Sequence, residues 1–225
     1  MAGMEREPRS VLPVRESRIF PALAVLALPA IFVVLPDRFQ LLPRGTEFVF
    51  ALAMAIPMLA ANFAKNRALW LRIERIAAEI ILPLATVLQL ALLGFLLVAM
   101  AQKDAHLSGL TLLSTSVAIW ITNVLVFALT YWLIDRGGPE GRETGWKGWA
   151  DFSFTRGDPS EGMPAGWYPI FADYFALAFN TSAAFSPTDV LPLRPRAKVL
   201  MVVQSVISLV TVIAVGARAI NILGS

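Results

Sequence analysis

Residues 167–221, WYPIFADYFALAFNTSAAFSPTDVLPLRPRAKVLMVVQSVISLVTVIAVGARAIN, determine the fold that we expect for this chain. The apolar run 171–179 is too short to cross a bilayer, because a spanning helix takes about 20 residues. A polar segment broken by Pro187 follows this run, and after a basic turn comes a long apolar helix over 199–217. Irregular backbone at membrane depth is tolerated only inside protein or beside a water-filled cavity. This order of segments therefore predicts a re-entrant helix and loop of the ion-channel pore type.

The same stretch resembles the pore domain of tetrameric potassium channels. In those channels a short helix leads into a TVGYG-Asp filter, and a proline follows three residues after the Asp. Asp189 and Pro192 keep that spacing. The aromatic pair 174–175 matches the aromatics of the pore helix, and 197–198 matches an Ala-Arg pair that follows the loop. The resemblance implies a homotetramer with a pore on its axis.

The filter itself differs from that of the potassium channels. Residues 184–188, Ala-Phe-Ser-Pro-Thr, occupy the TVGYG positions, so both glycines are missing. Pro187 also fixes its own φ at about −65°, so stacked carbonyls that replace the K⁺ hydration shell are not implied. We expect hydroxyl groups to line a constriction and a ring of Asp189 carboxylates to concentrate cations at its mouth. The pore-loop candidates are Asn180, Thr181, Ser182, Ala183, Ala184, Phe185, Ser186, Pro187, Thr188 and Asp189.

The last helix carries a polar stripe that is the candidate for an inner pore lining. Its members recur at i, i+4, i+7 and i+11, so they share one helical face. They are Gln204, Ser208, Thr211 and Val215. Alternatively, Ser205, Ser208 and Gly216 are small residues that let helices pack closely.

Two acidic residues of the loop region have alternative interpretations. Asp189 is either the pore-mouth carboxylate or a turn residue beside Arg194 and Arg196. Asp173, in the short helix, either lies near the pore or pairs with a loop arginine. Phe185 either gates the pore or, together with Pro187, seals it.

A second resemblance covers about the C-terminal half. It is to a group of uncharacterised bacterial polytopic membrane proteins that share a helix ending in an aromatic-rich Asp-x-Gly-Gly-Pro turn and a Phe-Ser-Pro-Thr-Asp loop. The loop is 185–189 here, and this resemblance implies no particular activity. The turn residues are Tyr131, Trp132, Asp135, Gly137, Gly138 and Pro139.

Composition places the chain in the membrane. It has 225 residues, 57% of them apolar, with a mean hydropathy of +0.66, whereas soluble domains are about 45–50% apolar. We expect an all-α integral membrane protein of the plasma membrane, with about five transmembrane helices plus the re-entrant segment. The predicted spans cover 19–36, 48–64, 80–100, 110–134 and 199–217. The chain is predicted to have three regions: a polar tail (1–18), three transmembrane helices (19–109) and a channel-like pore domain (110–225). The pore domain is predicted to contain an outer helix, a polar loop (135–166), a pore helix with a filter-like loop (167–192) and an inner helix (198–222).

Composition also bears on chemistry. There is no cysteine, and the single histidine, His106, lies in a polar connector, so a thiolate or a multi-histidine metal site is not expected. No membrane Ser–His pair, acidic Gly-x-Gly-Asp motif or glycine-rich phosphate loop occurs. We therefore expect no enzyme, no cofactor and no bound metal. The partners that we expect are the bilayer, further copies of the chain and an inorganic cation. A net charge of +3 with basic residues in loops gives no reason to expect a nucleic acid.

Two segments carry further expectations. Basic residues and Trp70 in 64–79 indicate an interfacial helix. Asn123 in the fourth span is expected to hydrogen-bond to a neighbouring helix. A cleavable signal peptide is the alternative for 19–36.

The distribution of basic residues and the resemblance to potassium channels predict opposite orientations of the chain in the membrane. With a re-entrant loop, fifteen basic residues lie on the side of the N-terminus and four on the other, which places the loop mouth in the cytoplasm by the positive-inside rule. In potassium channels the pore loop instead enters the membrane from the outside of the cell. If 167–186 instead spans fully, six helices give a split of thirteen to six.

The sequence leaves three functions open. The first is a cation-conducting oligomeric pore. The second is a secondary transporter, because broken helices also form substrate sites at the midplane of transporters. The third is a non-conducting structural or regulatory subunit.

Overall fold

A computed structural model describes most of the chain. The described residues are 16–33, 35–36, 39–101, 109–144, 146–154, 168–186 and 190–223, with side chains to Ala217. His106 and the loop residues Pro187, Thr188 and Asp189 lie outside them, as do most of the polar tail and Val34 of the 19–36 span.

The described chain is almost entirely helical. The helices are α1 (Ile19–Val33), α2 (Thr46–Phe63), α3 (Arg67–Ala101), α4 (Gly109–Ile134), α5 (Gly138–Thr144), α6 (Phe171–Ala184) and α7 (Pro195–Leu223), with a 3₁₀ turn (Asp135–Gly137) between α4 and α5. Two three-residue strands, β1 (Phe152–Phe154) and β2 (Val190–Pro192), pair antiparallel, with Ser153 opposite Leu191.

Four helices, α2, α3, α4 and α7, are long and apolar enough to cross a membrane. This fits the predicted all-α membrane class. Helix α1, the predicted first span, has 15 residues and is therefore about 22 Å long, shorter than a hydrocarbon core of about 30 Å. The described helices thus give four candidate spans where the sequence predicted five.

Helix α3 merges two segments that the sequence divided. The predicted interfacial helix (64–79) and third span (80–100) form one helix of 35 residues, about 52 Å long. This exceeds the apolar thickness of a bilayer, about 30 Å. The expected basic segment is therefore continuous with the candidate membrane span rather than a separate helix.

Helix α4 is the centre of the bundle. It packs against α1, α3, α6 and α7, while α2 packs against α1 and α3. Its sequence is apolar on every face, which is typical of a helix surrounded by other helices. Its aromatic end is fully buried, as Phe127, Tyr131 and Trp132 show.

The predicted loop 135–166 is partly ordered into the 3₁₀ turn, α5 and β1. The Trp146 indole lies over Gly137 and Gly141, where an added Cβ would approach the ring to 2.6 and 3.3 Å. Phe152 is buried with its ring centroid 5.0 Å from that of Tyr131. Trp149 is 83% exposed. Phe152 therefore packs the loop into the chain's own core, whereas Trp149 is left exposed.

Candidate functional site

The beginning of α6 is bound to the end of α4. The Tyr174 hydroxyl donates to Oδ2 of Asp135 at 2.7 Å. The other oxygen of Asp135, Oδ1, accepts from the backbone N–H groups of Asp151 (2.8 Å) and Phe152 (3.2 Å). A fully buried carboxylate needs such partners, because an unpaired buried charge is costly. Asp135 thereby joins α4, β1 and α6 at one end of the bundle.

Among the described residues, Asp173 pairs with no loop arginine, which was one of the two roles that the sequence suggested. Its Oδ2 accepts the backbone N–H of Ile170 at 2.8 Å, which is the reciprocal half of a capping arrangement at the start of a helix. A carboxylate in the first turn also interacts favourably with the helix dipole. Asp173 therefore fixes the residue at which α6 begins.

The beginning of α7 is bound to the same end of α4. The Arg196 guanidinium makes two hydrogen bonds to the Asp151 carboxylate, at 2.5 and 2.6 Å. It also donates to the backbone oxygen of Ile134, at the end of α4, at 3.1 Å. The chain between the two helices returns there as well, since β2 pairs with β1 and the Leu193 N–H donates to the Asp151 backbone oxygen. Helices α6 and α7 therefore both begin at this end.

The far end of α6 lies deep in the bundle, in a polar cluster centred on Gln204 of α7. Gln204 Nε2 donates to the backbone oxygen of Ala178 (2.7 Å) and to Ser182 Oγ (2.8 Å). Its Oε1 accepts from the Tyr131 hydroxyl of α4 at 2.5 Å. One amide side chain thus links three helices inside the apolar layer, where unsatisfied polar groups are costly.

Asn123 of α4 completes this cluster. Its Nδ2 donates to Ser182 Oγ (3.3 Å) and to the backbone oxygen of Gln204 (3.1 Å). The prediction that Asn123 hydrogen-bonds to a neighbouring helix is confirmed. Asn123 in fact bonds to two helices, α6 and α7. Among the described residues, Asn123 Oδ1 and Thr181 Oγ1 are buried without a hydrogen-bond partner.

The polar stripe of α7 does not face outward. Gln204, Ser208 and Thr211 are fully buried within the single chain, and Ser208 donates to the backbone oxygen of Ser182. The predicted lining of a central aqueous pore by these three residues is therefore wrong, because α4 and α6 already cover that face. Val215, the fourth member, is partly buried. The outward face of α7 is apolar and includes Val199, Val202, Val206, Leu209 and Ile213.

The predicted filter residues divide between helix and turn. Asn180, Thr181, Ser182, Ala183 and Ala184 are helical, so the polar extended strand expected after residue 179 is wrong for these five. Helix α6 continues because the residues 180–184 contain neither proline nor glycine, which are the strongest helix breakers. Thr181 and Ser182 are buried, whereas Ala183, Ala184, Phe185 and Ser186 are exposed.

Phe185 ends α6 in the left-handed conformation, with φ 54° and ψ 26°. This conformation at a helix end is normally taken by glycine, and it costs other residues about 1–2 kcal/mol. The side chain is 44% exposed, so packing inside the chain does not explain why an aromatic residue stands here.

A second polar cluster, which sequence reasoning missed, lies at the end of the bundle where α1, α3, α6 and α7 begin. Arg18 is fully buried and bonds to Glu74 of α3 (3.0 Å) and Glu143 of α5 (2.8 Å). Arg67 makes further bonds to Glu143, the shortest at 2.6 Å. We call Arg18, Arg67, Glu74 and Glu143 the four-charge cluster. The sequence showed the basic residues of 64–79 but not that acidic partners would bury some of them.

An adjacent pair binds the N-terminal segment to α4. The Glu16 carboxylate accepts from Arg142 Nη2 (2.8 Å) and from the Trp132 indole N–H (2.6 Å). The Arg142 guanidinium also lies 5.7 Å from the Trp132 ring centroid and 5.4 Å from that of Tyr174, within the range of cation–π attraction. This pair extends the polar contacts from α1 to the start of α6.

In the part of the chain that the structure describes, no group of three or more His, Cys, Asp or Glu side chains is arranged to hold a metal ion. The chain matches no protein-family model, and comparisons with curated proteins and with solved structures found no significant similarity.

Proposed function

We propose that the chain is one subunit of an oligomeric membrane pore that conducts cations, with α6 and the following residues forming a re-entrant pore loop. The observation that carries the proposal is that α6 and α7 both begin at the Asp135 end of α4. Tyr174 bonds to Asp135, and Arg196 bonds to the backbone of Ile134. A segment that enters and leaves the membrane on one side produces this arrangement, which a sixth spanning helix would not.

The lengths of α6 and of the segment that follows it agree with a re-entrant pore loop. Helix α6 has 14 residues, so it is about 21 Å long and shorter than an apolar layer of about 30 Å. Its last turns contact Trp120 and Asn123 of α4, about 18 Å along α4 from Asp135. The six residues from Ala184 to Val190 reach at most about 20–22 Å, enough to bring the chain back to β1.

The two polar anchors hold α6 at both ends without using its exposed face. Asp135 fixes its beginning, and Asn123 with Gln204 fixes its last turn. The groups left exposed near its end are Ala183, Ala184, Phe185 and Ser186. We infer that these residues and 187–189 line the pore in place of the stripe on α7. The strained backbone at Phe185 supports a functional role there, because such strain clusters at functional sites.

Cation selectivity in this proposal rests on Asp189, whose carboxylate would be repeated around the axis of the oligomer. The proposed orientation places the Asp135 end, with its fifteen basic residues, in the cytoplasm. A tetramer is the assembly that the resemblance to potassium channels suggests.

The test is ion flux from purified protein in liposomes, with K⁺, Na⁺ and Cl⁻ gradients imposed in turn. We expect cation flux that Asp189→Asn reduces. Glu79→Gln is the matched control, because it removes an exposed carboxylate whose partner among the described residues is Arg75, on the surface of α3. Equal flux for Asp189→Asn and Glu79→Gln would contradict the role of Asp189.

One observation favours a second function, a non-conducting scaffold subunit. The outward face of α7 is apolar and the exposed end of α6 carries Phe185, so an oligomer formed through these faces could be sealed. Absence of flux under every gradient, from protein shown to be folded and oligomeric, would support the scaffold and overturn the pore.

A further inference from the structure

A cavity of about 110 Å³ lies among α1, α2, α3 and α4, away from the proposed pore loop. It extends from the connection between α1 and α2 towards the middle of α4. The four-charge cluster lies at the opposite end of the bundle, so the two features are separate. Its walls come from all four helices, and it is open on one side.

The walls of the cavity are apolar. Small residues face it from two helices, Ala51 on α2 and Ala85 on α3, and Pro29 faces it from α1. Larger side chains such as Phe50 and Leu88 complete the wall. The space exists because alanine occupies positions where a larger side chain would fill it.

One polar group faces the inner part of this apolar space. Thr122 of α4 lines the cavity and is 5% exposed, and its hydroxyl has no hydrogen-bond partner among the described residues. A hydroxyl that borders an apolar space gains from a hydrogen bond there, so an occupant that pairs with it is favoured. Gln40 and Glu47 lie at the outer end of the cavity, beside the connection between α1 and α2.

These features define the chemistry of the occupant. A buried water requires about 2–4 polar partners, whereas the inner cavity offers the Thr122 hydroxyl alone. An apolar cavity of about 150 Å³ stays dry and takes a molecule the size of benzene. We propose that this cavity binds an uncharged, ring-sized hydrocarbon group that carries one hydroxyl or carbonyl oxygen, which hydrogen-bonds to Thr122.

The position of the ligand gives it a route to the rest of the molecule. Thr122 is next to Asn123, which holds the end of α6 and the middle of α7. A ligand bonded to Thr122 would therefore lie one residue from the anchor of the proposed pore loop. The binding site does not depend on conduction, and its test below measures binding alone.

The experiment measures ¹⁹F NMR binding of 4-fluorophenol and of 4-fluorotoluene, a matched probe without the hydroxyl, to protein in lipid nanodiscs. Partitioning into empty nanodiscs is subtracted. We expect the phenol to bind more tightly than the toluene. Thr122→Val keeps the side-chain shape and should weaken phenol binding about fivefold, the equivalent of one hydrogen bond, while toluene binding stays unchanged. The role of Thr122 would be overturned if Thr122→Val weakened the binding of both probes equally, or if it left the binding of both unchanged.

A second pair of variants tests the cavity itself. Ala85→Phe fills it and should abolish binding of both probes. Ala53→Phe adds the same ring on the exposed face of α2, outside the cavity, and should leave binding intact. Undiminished binding to folded Ala85→Phe would overturn the proposal. If Ala85→Phe does not fold, the Thr122→Val variant still tests the proposal, because the proposal requires its ratio of phenol to toluene affinity to be lower than that of the unmodified protein.

Two sources supply this ligand chemistry, a lipid resident in the bilayer or a free small molecule. Repeating the titration by calorimetry in a fluorinated surfactant, which lacks hydrocarbon chains but would swamp a ¹⁹F signal, distinguishes them. Tighter phenol binding in the surfactant would show that bilayer lipid competes for the cavity and would assign the site to a lipid. Unchanged affinity would assign it to a free molecule.

Discussion

Tyr174 donates its phenolic hydrogen to the buried carboxylate of Asp135 at 2.7 Å, although the two residues are 39 positions apart. This bond fixes where α6 begins relative to α4. The Asn123–Ser182 bond fixes where α6 ends. The depth of α6 in the bundle is thus determined at two points, and most of the predictions below depend on these anchors or on the surfaces that they leave exposed.

Removing the phenolic hydroxyl should destabilise the protein. Tyr174→Phe leaves Asp135 Oδ2 buried without its donor, which costs about 1–3 kcal/mol. We expect a lower midpoint of unfolding in detergent. Tyr168→Phe is the control, because Tyr168 is partly exposed and makes no hydrogen bond to another described residue. Equal midpoints for the two variants would show that the Asp135 bond is not an anchor.

The four-charge cluster should contribute far more to stability than an exposed ion pair. Arg18→Met leaves Glu74 without a charged partner, and breaking a buried pair costs about 3–5 kcal/mol. Arg75→Met breaks the exposed pair with Glu79, worth about 0.3–0.5 kcal/mol. Unfolding midpoints of the two variants measure the difference.

A double variant separates charge burial from packing in the same cluster. Arg18→Met with Glu74→Leu replaces the pair by apolar groups, which is often close to neutral. We expect it to recover part of the stability lost in Arg18→Met. No recovery would mean that Arg18 stabilises the fold mainly through Glu143.

The two candidate pore surfaces should react differently with a water-soluble thiol reagent. The chain has no cysteine, so single-cysteine variants have no background. Ala184→Cys and Ser186→Cys lie on exposed positions and should react in the assembled protein if they line the pore. Ser208→Cys is buried against α6 and should not react. Modification of Ser208→Cys at the rate of Ser186→Cys would restore the stripe of α7 as the pore lining.

The proposed re-entrant arrangement predicts the side of the membrane on which each loop lies. Trp149→Cys, before α6, and Leu193→Cys, after β2, are exposed positions and should react with an impermeant maleimide from the same side. Leu41→Cys, between α1 and α2, should react from the other side. Labelling of Leu193→Cys together with Leu41→Cys would indicate that the 167–186 segment spans the membrane.

Phe185 should be replaceable by glycine without loss of stability. Phe185→Gly relieves a left-handed conformation that costs about 1–2 kcal/mol, so the unfolding midpoint should stay level or rise. Phe175→Gly, in the middle of the same helix, should lower stability by about 1 kcal/mol. If Phe185 narrows the pore, liposome flux should rise in Phe185→Gly alone. A clear drop in its stability would show that the ring makes contacts which outweigh the backbone strain.

Several features could be predicted from the sequence because they depend on local composition and length. Long apolar runs predicted α2, α4 and α7 as helices, and a short run predicted that α6 would be too short to span. An amide in the middle of an apolar helix predicted the hydrogen bonds of Asn123, since such a group needs a partner inside a membrane. The sequence analysis ended α6 five residues too early, because the polar residues in 180–184 are typical of a loop. None of these residues breaks a helix, and the structure continues the helix through them.

Other features could be decided only by the tertiary structure. The inward face of α7 is the one that carries Gln204, and this depends on Tyr131 and Ser182 from two other helices. Arg18 and Glu143 meet across 125 positions, so a pattern of charges along the chain could not pair them. Local sequence thus determined the class of protein and most helix positions, through apolar length and the cost of unpaired polar groups. Packing between distant helices decided which polar groups are buried and which surfaces stay exposed.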